Sequence, residues 1–374
     1  GPLQCLFGMY GTELVFHRWF QASPCRVHSP SEANIFFVPS YFKCIEVLNY
    51  GEHFNPDETE ADVIFQQTFE HVRSLGPWFE QHDGADHVVL FSWGRFPCRL
   101  GGWREYLRSA VAIQVEDQCE DLNTELRTSS FNRWKDIIIP GHIDQWRTVE
   151  LQRLSKPLEQ RDLLVCFHGR HPGNAPSYEN VTVRRQIVEE LDGLPGVSIG
   201  GFVEGYHELL ASSIFCLAPR GITPWTIHLY VAILAGCIPV ILSDDFELPF
   251  QELIDWPQLS IKWPAANAGR DLYLYLTSLD FETVAAMKAA VESHKCWFNY
   301  YSQDQHCSPQ YAVMQALQRR QRQMPRYAGR YWSPTSAHSN AGGLNSGKSS
   351  HGKEGAAQIK ASASAPKRGE KVGS

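Results

Sequence analysis

Arg220, Gly221, Thr223, Pro224, Trp225, Thr226, His228 and Val231 fall within the twelve residues of "RGITPWTIHLYV". Their types suit an anion. Thr223 is a good N-cap, and Pro224 fits a first helical turn, where its missing N–H costs nothing. Gly236 is the usual left-handed terminator. The segment therefore predicts a helix from Thr223 to Ala235, its free N–H groups and positive dipole end aimed at the mouth of the strand "IFCLAP". Arg220 adds charge and Gly221 leaves room for a phosphate, so a pyrophosphate is the natural ligand. By the helical period, Pro224, His228, Val231 and Ala235 share one face. If that face lines a cleft, a carboxylate at 231 would hold a ribose and a cation at 228 a phosphate. Val231 does neither. His228 offers a hydrogen bond and, near a reference pKa of about 6.5, a part-time charge; a packed core histidine is the alternative.

A second constellation comes from "LLVCFHGR". Its strand ends at Phe167, leaving His168, Gly169 and Arg170 in the loop at the same sheet edge. Arg184 and Arg185 open the next helix, where one of them would reach the diphosphate; surface pairing of both is the other reading. Asp244-Asp245 looks like a helix cap or solvated turn rather than a metal pair, and no Cys/His group has ligand spacing, so no metal is expected. Cys166, Cys216 and Cys237 sit in or beside apolar strands and read as small core residues. Cys296 and Cys307 bracket a polar loop that a disulfide would close in an oxidising compartment.

These residues need a sheet edge to meet on. Short apolar runs alternate with helix-period segments, the signature of βαβ units. In the second half "DLLVCF", "GVSIGGF", "IFCLAP", "IPVIL" and "LSIKW" are strands, with helices at "VTVRRQIVEEL", "YHELLASS" and 281–298 between or after them. In the first half "ANIFFVPSY", "HVVLFSW", "VAIQVED" and "KDIIIPG" are strands, with helical stretches near 57–75 and 102–109. Residues 147–161 are polar and without a clean period, and read as a linker. The expected organisation is α/β: a Rossmann-like domain over 1–155, a second over 156–321, and a disordered low-complexity tail over 322–374. Ligands would bind in the cleft between the domains. A formal net charge of -7 gives no case for nucleic acid as the main partner. No apolar run of about 20 residues is present to span a membrane, and the opening residues do not form a signal peptide. GxGxxG, GxxxxGK[ST] and GxSxG motifs are absent.

The residues quoted, with "AILAGCIPVILSDDFELPFQELIDW", "YGTELVFHRWF" and "DHVVLFSWG", resemble the exostosin-like glycosyltransferases over about residues 8 to 300. The resemblance implies the GT-B fold of two facing Rossmann-like domains. It implies transfer of a sugar from a nucleotide donor, commonly a UDP-sugar, to a glycan acceptor, usually with inversion. Members are typically Golgi proteins with an N-terminal membrane anchor, which this chain lacks. Where the family turn commonly reads Gly-Asp-Thr/Ser-Pro-Ser/Thr-Ser, followed by Arg and then Asp or Glu, this chain has Ile222, Trp225, Thr226, His228 and Val231. The expected donor site is Gly169, Arg170, Arg184, Arg220, Gly221, Thr223, Trp225, Thr226, His228 and Val231, with Trp225 stacking on base or sugar. Glu13 is the candidate general base and Asp86 the second candidate. No cofactor is expected, because a helix N-terminus and basic residues can neutralise a departing diphosphate. The alternative is a non-catalytic exostosin-like protein that binds a glycan or a partner transferase, with Val231 its main support.

Overall fold

Apolar runs without alternation become strands covered on both faces, which favours parallel sheets. The computed structural model describes residues 7–44, 58–93, 107–117 and 131–323. Among them, β1 (Phe36–Val38), β2 (His87–Phe91), β3 (Val111–Gln114) and β4 (Ile137–Ile138) pair in parallel in that order. A second parallel sheet holds β5 (Leu163–His168), β6 (Val197–Gly200), β7 (Ser213–Pro219), β8 (Ile238–Leu242) and β9 (Ile261–Lys262), in the order β6-β5-β7-β8-β9. This is the two-sheet α/β architecture expected. In its central strands Val165, Phe167, Phe215, Leu217, Val240 and Leu242 are each no more than 1% exposed. Burying a side chain of this size contributes about 1.5–3 kcal/mol.

Strand order fixes where a ligand goes. From β5 the chain moves one way to β6 and the other way to β7, so the loops after β5 and β7 diverge and leave a crevice at their carboxyl ends. Connecting helices are α1 (Thr12–Ala22), α2 (Glu58–Ser74), α3 (Gln145–Leu154), α4 (Thr182–Leu191), α5 (Tyr206–Ser212), α6 (His228–Leu234), α7 (Arg270–Ser278), α8 (Phe281–His294) and α9 (Pro309–Gln323). α8 starts where the Asp280 carboxylate accepts the Thr283 N–H at 2.7 Å, and α6 ends at Gly236, whose φ of +68° suits a residue without Cβ.

Several expectations are corrected here. α6 starts at His228, not at Thr223. The Gly221 N–H bonds to the Trp225 carbonyl at 3.3 Å and Ser243 Oγ donates to the Pro224 carbonyl at 2.9 Å. Those bonds pin 221–225 as a loop before a helical turn can close. Residues read as a linker form α3, which packs against α5 and α6. Cys216 and Cys237 are joined in a disulfide across β7 and the entry to β8 rather than being separate core thiols, and Cys296–Cys307 forms a second bridge among the described residues. Cys166 is a buried thiol whose pKa burial pushes up to about 12. Most of the stretch near 102–109, and all but the first two positions of the expected tail, lie outside the described residues; those two positions end α9.

The two sheets are connected twice. Residues 139–144 carry the chain from the first lobe to the second, with Tyr300 donating to the Pro140 carbonyl at 2.6 Å. His142 lies between the Gly8 carbonyl and the Tyr301 hydroxyl, each at 2.6 Å. α9 then returns: Arg320 donates to the Asp136 carbonyl at 2.6 Å and Gln321 to the Asn34 carbonyl at 2.7 Å.

Candidate functional site

A cavity of about 500 Å³ opens between the carboxyl ends of the two sheets, inside the range of small-ligand sites. Gly169, Arg170, Arg184, Gly221, Thr223, Trp225, Thr226 and His228 line it from the second lobe, and Tyr10, Trp93 and Glu116 from the first. A larger groove of about 1330 Å³ runs along the far side of the second lobe between residues 246–262 and α7–α8. It is lined from the second lobe alone and holds none of the residues that the sequence points to.

Arg184 organises the cleft wall. It is 3% exposed and sits in the first turn of α4, between the two diverging loops. Its Nε donates to the Arg220 carbonyl at 2.8 Å, Nη1 to the Arg170 carbonyl at 2.8 Å and Nη2 to the Pro219 carbonyl at 3.1 Å. Burial lowers its pKa to about 10, so the guanidinium stays charged at neutral pH. With three donors on backbone carbonyls, Arg184 braces the loops rather than offering its charge to a diphosphate. Arg185 is on the surface, paired with Glu179 at 2.8 Å. Arg170 is exposed at the cleft rim, with no side-chain partner among the described residues.

His228 opens α6, and its ring reaches back toward the loop after β5. Nδ1 lies 3.0 Å from the Tyr206 hydroxyl. Burial first, then Arg184, Arg147 and His168, hold its pKa well below the ordinary value, so the ring is neutral and the expected part-time charge is absent. Burial raises the Tyr206 pKa, which keeps the phenol protonated. With that O–H donating to Nδ1, the ring proton sits on Nε2. Nε2 faces Gly169, where an added Cβ would come within 2.9 Å of it. Gly169 is thus the only small enough residue for this approach. Trp225 lines the cleft with its ring edge against Gly141 of the crossover, where a Cβ would meet Cζ2 at 2.6 Å.

Four expected residues are not on the cleft wall. Val231 is fully buried in the core. Arg220 gives its N–H to Leu242 and its carbonyl to Arg184, and its side chain does not line the cavity. Asp86 precedes β2 and pairs with His87 at 2.9 Å. It is therefore at the amino end of the sheet, opposite the cleft. Glu13 sits just behind the wall, 4% exposed, where its carboxylate accepts from Ser92 Oγ at 2.8 Å. Burial pushes its pKa up to about 7. Because α6 has only two turns and starts late, the expected helix N-terminus at Thr223 is also not the anion holder.

Sequence reasoning missed Glu116 and Arg147. Glu116 lies just past β3 and is the carboxylate that the first lobe places in the cleft among the described residues. Its signal was positional: an acid at the carboxyl end of a parallel strand. Arg147 reaches the cleft from α3, hidden by the reading of that segment as a linker. Phe202, 79% exposed, and Val203 form an apolar rim. Among the described residues no group of three or more His, Cys, Asp or Glu side chains is placed to hold a metal ion.

A family model described as the Exostosin GT47 domain matches residues 3–277. A probable glucuronosyltransferase of Oryza sativa subsp. japonica is 30% identical over 271 residues, covering 69% of this chain and 61% of that protein. The probable glucuronoxylan glucuronosyltransferase IRX7 of Arabidopsis thaliana is 24% identical over 287 residues, covering 71% of this chain and 61% of that protein. The chain thus spans about three-fifths of the length of these relatives. Among solved structures TarM is similar at a TM-score of 0.33 and 10% identity, covering 69% of this chain and 58% of TarM.

Proposed function

Because the chain belongs to the exostosin GT47 family, we propose that it is a glycosyltransferase that takes a sugar from a nucleoside diphosphate, UDP first among them, and passes it to a glycan hydroxyl. The observation that carries this reading is the cleft: Arg170 at the rim, two close-approach glycines and the His228 ring at the β5/β7 switch point face a carboxylate from the other lobe. The diphosphate would lie over Gly169, Gly221 and Thr226 with Arg170 at its edge, and the base against the apolar rim at Phe202. His228 Nε2–H would donate a neutral hydrogen bond where the family's arginine brings a charge.

Glu116 replaces Glu13 as the proposed base. It would accept the proton of the acceptor hydroxyl as that oxygen bonds to the anomeric carbon and the bond to the diphosphate breaks, giving inversion. Arg170 and the His228 Nε2–H, rather than a metal ion, would meet the charge left on the diphosphate. Two disulfides fit an oxidising compartment such as the Golgi lumen, and no described helix is long and apolar enough to cross a membrane. The binding-only alternative rested on Val231; with that residue packed in the core, no observation favours it.

Calorimetric titration of the chain with UDP and UDP-sugars, with and without chelator, tests the reading. Saturable heat that survives the chelator is expected. No heat at millimolar ligand overturns the reading.

A further inference from the structure

Asn180-Val181-Thr182 is the one Asn-x-Ser/Thr triplet in the 374 residues. In a chain that passes through the secretory route, an asparagine followed two positions later by a hydroxyl, with any residue but proline between them, is the acceptor pattern for an N-linked glycan. So short a pattern also arises by chance, and its setting decides whether it can be used. A buried asparagine leaves no room for the bulky sugar in the folded protein.

Here the setting is a surface turn. A single 3-10 turn (Pro176–Tyr178) precedes the triplet, and α4 begins at Thr182. The Val181 N–H donates to the Tyr178 carbonyl at 2.9 Å, closing a four-residue turn with Asn180 at its third position. Val181 is the anchor, 1% exposed, whereas Glu179, Asn180 and Thr182 are exposed. Arg185 holds the turn from α4: its Nη2 donates to the Glu179 carbonyl at 2.9 Å and to the Glu179 carboxylate at 2.8 Å. Tyr178 lines the cleft, but Asn180 and Thr182 do not. A bulky group on Asn180 would therefore stand beside the cleft wall without filling the site. The chemistry of the compartment agrees. The Cys216–Cys237 and Cys296–Cys307 bridges are of the kind that forms under oxidising conditions, on the route where such glycans are attached.

We propose that Asn180 carries an N-linked glycan. The co-reactant is an oligosaccharide held on a lipid diphosphate, and the transferring enzyme is that of the secretory route. The Asn180 amide nitrogen attacks the anomeric carbon of that oligosaccharide. An N–C bond forms, the C–O bond to the diphosphate breaks, one amide proton passes to a base and the lipid diphosphate leaves. Nothing in this step uses the cleft, so the inference stands apart from the nucleotide-sugar reading.

Translation of the full chain behind a secretion leader, in the presence of endoplasmic-reticulum microsomes, tests it. Chain shielded from added protease should run as one slower band that endoglycosidase H returns to the unmodified position. Asn180→Gln and Thr182→Ala should lose the shift completely, while Thr182→Ser, which keeps a hydroxyl, should keep most of it. Peptide mass spectrometry after treatment with peptide N-glycosidase should find Asn180 converted to aspartate. Attachment takes place as the chain arrives, so these readouts do not depend on a variant reaching its native state. Shielded wild-type chain that runs unshifted overturns the inference. So does a shift that survives Asn180→Gln, which would put the glycan on another residue.

Discussion

Replacing Arg184 by methionine tests whether the cleft is built as described. Methionine keeps most of the apolar stem and removes all three donors from the carbonyls of Arg170, Pro219 and Arg220. Each hydrogen bond from a charged group contributes about 1.5–3 kcal/mol, and a buried carbonyl left unsatisfied costs about 1–3 kcal/mol. The loops can relax toward the cleft and recover part of that, so a net loss of about 3–5 kcal/mol is expected. For a unit of this size that corresponds to a melting temperature lower by roughly 6–20 °C. Circular dichroism melts on wild type, Arg184→Met and Arg184→Lys would measure it, with lysine, which cannot bridge three acceptors, restoring less than half. UDP affinity should fall as well, because the loops proposed to hold the nucleotide lose their shared support. A variant that melts within 2 °C of wild type yet no longer binds UDP refutes the reasoning: Arg184 would then be a ligand of the diphosphate and not a brace.

Two further outcomes follow from the same residues. Glu13 has a folded pKa raised to about 7 from 4.5, so the native state holds a proton that the unfolded chain releases. Its stabilising contribution is complete below pH 4.5 and is lost as the pH rises through 7. Glu13→Gln, which is never charged, should therefore gain stability relative to wild type between pH 5 and pH 8, by up to about 3 kcal/mol in urea unfolding; a gap that stays constant with pH would contradict the assignment. The Cys216–Cys237 bridge closes a loop of sequence separation 21 around the cleft turn and α6. Changing both to serine should cost about 3 kcal/mol by the chain-entropy estimate, and an unfolding midpoint unmoved by the change would show that the ring adds nothing.

Much of the architecture was legible because its strands are unbroken apolar runs. "LLVCF" and "IPVIL" read as strands buried on both faces, the first running one residue further than expected, to His168, and the loops that follow them emerge at one edge. That logic put Gly169, Gly221, Thr223 and Thr226 on the cleft wall without any contact being known. It failed where long-range bonds override local preference. Thr223-Pro224 has the chemistry of a helix start, but Ser243 and the Gly221–Trp225 bond hold it as a loop. Val231 followed from a helical face drawn with the wrong start and the wrong neighbours. Asp86 was open to exclusion from sequence alone, since a residue preceding a parallel strand lies at the edge away from the ligand. Arg147 was not: a polar segment with no hydrophobic period gives no sign that one of its side chains turns inward. Nor does spacing reveal that Cys216 and Cys237 flank adjacent strands.

The crossings at 139–144 and before α9 have a mechanical consequence. One covalent link would leave the lobes free to twist, roll and drift apart. Two separated attachment points define an axis, and rigid bodies pinned along a line can only swing about it. The mouth between the sheets can gape on the side remote from Tyr300 and Pro140 while the pinned side stays shut. A small molecule using the cleft would then have to come and go by that one gaping side.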